Sequence, residues 1–188
     1  SVTTIGKRAF ADCEALTSVT FTAAGEEQAE ELISISESMF AGSGLVSITI
    51  PASVTTIEAS AFEGCASLKT VDFAEGSQLA TIGAGAFRES SVAGSAGADG
   101  AVVPLELPEN VVTIGEYAFY ACKSLTGVTF AGSALKTVQQ YAFSESGLAS
   151  IVMPAATSLV LGNNVFDSCA SLKTADFTKI VSFADLGN

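Results

Sequence analysis

Residues 54–73 read VTTIEASAFEGCASLKTVDF, and nearly the same string opens the chain as SVTTIGKRAFADCEALTSVTF and returns at residues 111–130 as VVTIGEYAFYACKSLTGVTF. Self-similarity at a fixed period constrains architecture more than any other property of a sequence, because each repeat must become the same structural unit. Alignment on the Ala-Phe pairs and their equivalents places Phe10, Phe40, Phe62, Phe87, Phe119, Phe143 and Phe166 in one column. Five residues before each stands Ile5, Ile35, Ile57, Ile82, Ile114, Val138 or Leu161, a second apolar column. A third pattern follows downstream, Leu-x-x-Val-x-Phe or its aliphatic equivalent: Leu68, Val71 and Phe73 in one unit, Leu125, Val128 and Phe130 in another, and Val102, Leu105 and Leu107 in the fourth. Its last two members alternate with period two, which predicts a short strand.

Units of roughly 20 to 30 residues hold one strand and a turn but no long helix, so each unit is one coil of a solenoid. Like residues then stack on like, the strands form a parallel sheet, and the Phe, Ile and Leu columns become continuous apolar ladders. A single coil cannot bury its apolar side alone, so its stability is shared with its neighbours.

The coils also alternate in kind. Units one, three, five and seven carry Phe-x-x-Cys-x-x-Leu and end their strand on Phe, whereas units two, four and six carry Ser in place of Cys, and two of these shorten to Ser-Gly-Leu. The even units end on Ile50-Pro51, Leu107-Pro108 and Met153-Pro154, where a residue lacking an N–H closes a strand. Alternating large and small strand ends is expected to keep core volume level. The pairing of coils also bears on redox state. Cys13, Cys65, Cys122 and Cys169 fall two coils apart, hence roughly 10 Å by strand spacing, beyond the about 7 Å Cα separation that a disulfide spans. They are expected to be free, buried thiols. With no histidine in the chain and no second cysteine near any of them, a metal site is not expected either.

At 188 residues with 48% hydrophobic content, the chain supports a single domain, residues 1–188, with a sizeable core. Twenty acidic residues against eight basic ones give a formal charge of −12, which repels nucleic-acid phosphates and anionic lipid surfaces. No window approaches the roughly 18 apolar residues that cross a bilayer as a helix, so membrane insertion is not expected. The sequence starts on Ser1 without a basic, then apolar, then small-residue leader, and Phe183 to Gly187 repeats the phase of Leu79 to Gly83. The chain therefore reads as a piece of a longer repeat protein, seven units plus a partial eighth.

Two insertions break the rhythm. Residues 24–31 contain four carboxylates and read as a solvated helical turn, and residues 91–100, rich in Gly, Ala and Ser, read as a flexible loop.

VTTIGKRAFADCEALTSVTF and LVSITIPASVTTIEASAFEGCASLKTVDF resemble the BspA-like leucine-rich-repeat family, whose units read Leu-x-x-Ile-x-Ile-Pro, then Val-x-x-Ile-Gly, then Ala-Phe-x-x-Cys. The resemblance covers essentially the whole chain. It implies a right-handed leucine-rich-repeat solenoid of the α/β class, with the Leu-x-x-Val-x-Phe strand on the concave face and the Ala-Phe segment as a turn or short 3₁₀ helix opposite. It also implies a bacterial or protist cell-surface or secreted protein, engaged in adhesion to host proteins or other cells, and it carries no catalytic motif and no cofactor.

Without histidine, Ser-His and Cys-His nucleophiles are excluded, and no Gly-Lys-Ser/Thr follows the glycine-rich stretch. Asp72 and Glu106 hold the same outward position on consecutive strands, so their carboxyls are expected about 5 Å apart, the separation of a retaining glycosidase. The same register elsewhere holds Thr20, Thr49, Thr129 and Val152, which supply no substrate-holding set, so a solvated acidic spot is favoured over catalysis. The outward strand positions Thr20, Thr49, Asp72, Glu106, Thr129 and Asp176 are the candidate binding face for a protein ligand; a passive spacer that only projects other domains is the alternative. Tyr117 and Tyr141, each two residues before its Phe on consecutive coils, are further surface candidates, with ladder packing the favoured reading. All four cysteines are expected to react with a thiol reagent after denaturation without reductant, and fewer than four would contradict the stacking argument.

Overall fold

The computed structural model describes residues 4–21, 32–156 and 158–183. From the second coil onward each coil contributes a two-residue strand besides the one the sequence pattern predicts; the described residues of the first coil contain neither. The first ladder is six-stranded and parallel, with two residues from each coil: β1 (Ser34–Ile35), β3 (Thr56–Ile57), β5 (Thr81–Ile82), β9 (Thr113–Ile114), β11 (Thr137–Val138) and β13 (Val160–Leu161). Register is Thr on Thr and Ile on Ile, as in Thr81↔Thr113 and Ile82↔Ile114. Two residues are too short for an alternation to be read, which is why this ladder is visible in the sequence only as an isoleucine column.

The second ladder contains the predicted strands: β2 (Ser47–Ile50) pairs with β4 (Thr70–Phe73), and β8 (Leu105–Leu107), β10 (Gly127–Phe130), β12 (Ser150–Val152) and β14 (Thr174–Asp176) form a four-stranded parallel sheet. Alternation holds strictly in β2, where Ile48 and Ile50 are buried and Ser47 and Thr49 exposed.

Between the ladders, the Ala-Phe segment is a chain of turns, and no helix occurs among the described residues. Its N–H groups alternate between partners. In the third coil Ala61 donates to Glu58 of its own coil and Phe62 to Ala86 of the next, then Glu63 to Ser60 and Gly64 to Arg88. Regular 3₁₀ structure is prevented because two residues per turn adopt positive φ, here Ser60 at 55° and Gly64 at 67°, and in the fifth coil Tyr117 and Ala121, both at 55°. The left-handed region costs a non-glycine residue about 1–2 kcal/mol. The same residues direct their N–H groups to the adjacent coil, Ser60 to Ala84 and Tyr117 to Gln140, which offsets that cost.

The Phe column is the spine of the core. Consecutive rings from Phe10 to Phe166 stack with centroids 5.1 to 5.8 Å apart and planes within 11°. Phe40, Phe62, Phe87, Phe119 and Phe143 are wholly buried. A further buried column, Leu32, Val54, Leu79, Val111 and Leu135, lines the same core three residues ahead of the Ile/Val column, with Leu159 two residues ahead of Leu161. At the strand ends Ile50, Leu107 and Met153 are fully buried, whereas Phe73, Phe130 and Phe177 are only half-buried, so the large ends lie over the core edge instead of levelling its volume.

The Cys/Ser alternation has a direct structural cause. Cys65, Cys122 and Cys169 each donate to the carbonyl of the Phe one coil earlier, Phe40, Phe87 and Phe143, at 3.0 Å. The hydroxyls of Ser43, Ser90 and Ser146 lie 3.6, 3.7 and 3.4 Å from the same sulfurs. Even coils supply the serine, odd coils the thiol. Cys65 and Cys122 are buried, and burial pushes the Cys122 thiol up to about 12. Cys169 is half-buried and Cys13, on the outermost described coil, is exposed, so the expectation of four buried thiols holds for two.

The shortened even corner carries glycine for lack of room: a Cβ on Gly44 would lie 1.9 Å from the Glu14 carbonyl oxygen, and one on Gly147 2.1 Å from that of Lys123. The fourth coil is shortened in the same way, as Ser90-Ser91-Val92. Val92, fully buried, is therefore its Leu-column member, and Val102, 48% exposed, is not; the sequence alignment placed that column ten residues late.

Candidate functional site

The glycine-rich stretch is an ordered antiparallel hairpin, not a flexible loop. The chain leaves the strand ladder at Gly94, bridged to Thr70, forms β6 (Ser95–Ala96) and β7 (Val102–Val103), and re-enters at Leu105. Gly97 donates to Ala101 across the turn, and the Asp99 carboxylate accepts from the Ala101 N–H at 3.0 Å. Gly94 is required by the crossing, since a Cβ there would meet the Val103 carbonyl oxygen at 1.7 Å.

The insertion alters the joint between the strands that carry Asp72 and Glu106, which line one cleft. Asp72 on β4 registers with Thr49 on β2, and Glu106 on β8 with Thr129 on β10, but β4 and β8 are not ladder partners. Ser95, at the start of the hairpin, bridges them. One Asp72 oxygen accepts the Ala96 N–H at 2.8 Å. The Ser95 hydroxyl donates to the Val71 carbonyl at 3.0 Å and accepts the Glu106 N–H at 3.4 Å, supplying a side-chain link where a strand-to-strand bond is missing. Ser95 is the residue sequence reasoning missed, since one serine in a Gly/Ala/Ser tract gives no pattern. Beside the hairpin lies a cleft of about 340 Å³, whose lining includes Asp72, Glu106 and Glu109 as well as Phe73, Val103 and Pro108.

The remaining candidates on this face are dispersed. Thr20, Thr49 and Thr129 are exposed, Asp72 and Asp176 half-buried. Asp176 registers with Val152, and its carboxyl is held below the usual range by the Thr178 N–H, 2.8 Å away. Among the described residues no three His, Cys, Asp or Glu side chains gather so as to hold a metal ion.

Tyr117 and Tyr141 sit on the turn side of the coil. Their rings stack at 5.0 Å with planes 1° apart, and the Tyr141 hydroxyl accepts from Asn164 Nδ2 at 2.8 Å. Tyr120, next to the Phe column in the same coil, meets Tyr117 edge-on at 5.5 Å and donates its hydroxyl to Glu145, which Lys123 also contacts at 3.1 Å. That hydroxyl bond raises the pKa of Tyr120 and lowers that of Glu145. The tyrosines thus continue the ladder packing on the outer surface.

Against this geometry, a family profile described as the BspA type leucine-rich repeat region matches residues 1–95 and 100–185 in six copies. The chain belongs to this family. Among solved structures, a leucine-rich repeat protein from Bacteroides ovatus is similar at a TM-score of 0.55 and 20% identity, over 95% of this chain and 63% of that one. A leucine-rich cell-surface protein from Faecalibacterium prausnitzii is similar at a TM-score of 0.51 and 24% identity, over 85% of this chain and 46% of that one. At these identities the likeness is one of fold, and the chain spans about half to two thirds of the two proteins. A search of curated proteins found no match. Among the described residues no helix is long and apolar enough to cross a membrane.

Replacing Ser95 by Ala removes both links across the interruption. The expected cost is about 1 kcal/mol in denaturant unfolding, with faster hydrogen exchange at the Glu106 amide. Unchanged exchange there would contradict the bridging role.

Proposed function

We propose that this solenoid is a non-catalytic protein-interaction and adhesion module of a secreted or cell-surface bacterial protein, and that it binds through the outward face of the second strand ladder. The observation that carries this reading is the chemistry of that face. Thr20, Ser47, Thr49, Glu106, Thr129 and Ser150 are exposed, and apart from the Glu106 amide bond to Ser95 none of them is engaged by a side chain elsewhere in the described chain. Membership of the BspA type family and the printed description of the Faecalibacterium protein as a cell-surface protein support the location. A single bounded role per coil, packing inward and presenting outward, is the general logic of repeat proteins.

The passive-spacer reading is favoured by one observation: this face has no Trp, and its outward positions lack the Tyr and Arg that usually anchor interfaces. A glycosidase built on Asp72 and Glu106 is the less favoured reading: the two line one cleft, but one Asp72 oxygen accepts the Ala96 N–H and the same register elsewhere supplies no substrate-holding set.

The test is binding of the purified chain, at physiological salt, to an array of extracellular-matrix proteins and cell-surface glycans. A saturable protein hit that Thr49→Glu with Thr129→Glu weakens supports adhesion through this face. Absence of any hit favours the spacer.

A further inference from the structure

We propose that the corner where coils five to seven pass from the first strand ladder into the turn binds a neutral sugar unit of a glycan, at a site separate from the strand face. A groove of about 350 Å³ lies at this corner, within the range of roughly 300–1,000 Å³ typical of ligand pockets, and its lining includes Glu116, Gln139, Gln140 and Asn163. Tyr117 and Tyr141 follow Glu116 and Gln140 directly in the chain. No other part of the sequence has this composition. All three tyrosines, Tyr117, Tyr120 and Tyr141, belong to these coils, as do Gln139, Gln140, Asn163 and Asn164, half of the eight Asn and Gln residues of the chain. The fold does not require them. The left-handed position of Tyr117 and Tyr141 is held by Ser38, Ser60, Gly85 and Asn164 in other coils, and a bulky residue is uncommon there.

The polar side chains at this corner are fixed in advance, and each keeps one end free. Gln139 accepts the Glu116 N–H through Oε1 at 2.9 Å, which leaves its Nε2 as a donor. Gln140 donates Nε2 to Glu116 Oε1 at 2.7 Å, which leaves its own Oε1 as an acceptor. Asn164 donates Nδ2 to the Tyr141 hydroxyl at 2.8 Å, so that hydroxyl keeps its proton to donate and Asn164 its Oδ1 to accept. Gln139, Gln140 and Asn164 are exposed, and holding their rotamers beforehand reduces the ordering cost of binding. The array mixes donors and acceptors with Glu116 as its only charge, which matches sugar hydroxyls, groups that both donate and accept. The stacked rings of Tyr117 and Tyr141, centroids 5.0 Å apart, supply apolar surface for the C–H face of a sugar. On the preceding coil the position in register with Tyr117 is Gly85, which brings no side chain onto the stack. An anionic sugar is disfavoured, because the groove is lined by a carboxylate and by no Lys or Arg.

The probes are the neutral trisaccharides maltotriose, cellotriose and mannotriose, each titrated into the whole isotope-labelled chain to about 10 mM, tenfold above a millimolar Kd, and followed by amide chemical shifts. A hexaproline peptide, the protein-type ligand of aromatic surfaces, is titrated in parallel. Saturable shifts centred on residues 114–120, 137–143 and 160–165 are expected with at least one trisaccharide and none with the peptide. Tyrosine emission, which in this chain without Trp reports on the corner alone, is expected to change with the same midpoint. The double variant Gln140→Ala/Asn163→Ala, at two exposed side chains, is expected to weaken binding by about tenfold or more, while Gln78→Ala, an exposed amide outside the corner, leaves it within about twofold. Peptide binding at the corner tighter than that of any sugar, shifts spread over the surface, equal weakening by both variants, or no saturable shift with any trisaccharide would overturn the proposal. Sugar binding at the corner together with a strand face that binds no protein supports it, since the two sites share no residue.

Discussion

Everything in this molecule depends on hydrogen bonds that leave one coil for the next. In the turn every second N–H crosses to the neighbour, Phe62 to Ala86, Phe87 to Ala118, Phe119 to Ala142, so the phenylalanine that anchors each coil is held by the backbone of another. This spacing between coils brings the rings to just over 5 Å, a separation at which offset aromatic stacking is favourable. The positive φ at Ser60, Tyr117 and Tyr141 follows from the same demand, since it turns those N–H groups outward along the solenoid axis. Coil identity is then secondary, and even the thiols of Cys65, Cys122 and Cys169 serve the contact between neighbours, each reaching back to a carbonyl of the preceding coil.

A lattice of this kind tolerates an insertion only where the lost inter-coil bonds are replaced. Ser95 and Asp72 make that replacement, one linking Val71 to Glu106 and the other taking up the Ala96 N–H. The first ladder is undisturbed at the same level, with β5 pairing directly to β9. The repeat therefore carries the hairpin on its strand face without interruption of the core.

The sequence was legible where chemistry repeats. The Phe and Ile columns, the parallel strand ladder and the odd–even exchange of Cys and Ser all follow from side chains that recur at one phase. It was less legible where backbone geometry decides. The two-residue strands show no alternation, and the left-handed turn residues include Ser, Tyr, Arg and Gly, which share no composition. The hairpin misled the alignment most. By starting inside the strand at Gly94 instead of before it, the insertion moved the Leu column from Val92 to Val102. Residues 24–31, read as a helical turn, and Leu186–Gly187 of the partial eighth unit lie outside the described residues.

The central claim is that stability resides in the stacked column between coils. Its most direct measurement is denaturant unfolding of Phe87→Ala, which removes a ring stacked on both Phe62 and Phe119. The account predicts a single transition with a loss of about 3–5 kcal/mol. A loss below about 1 kcal/mol, outside the range for a buried aromatic, would contradict it.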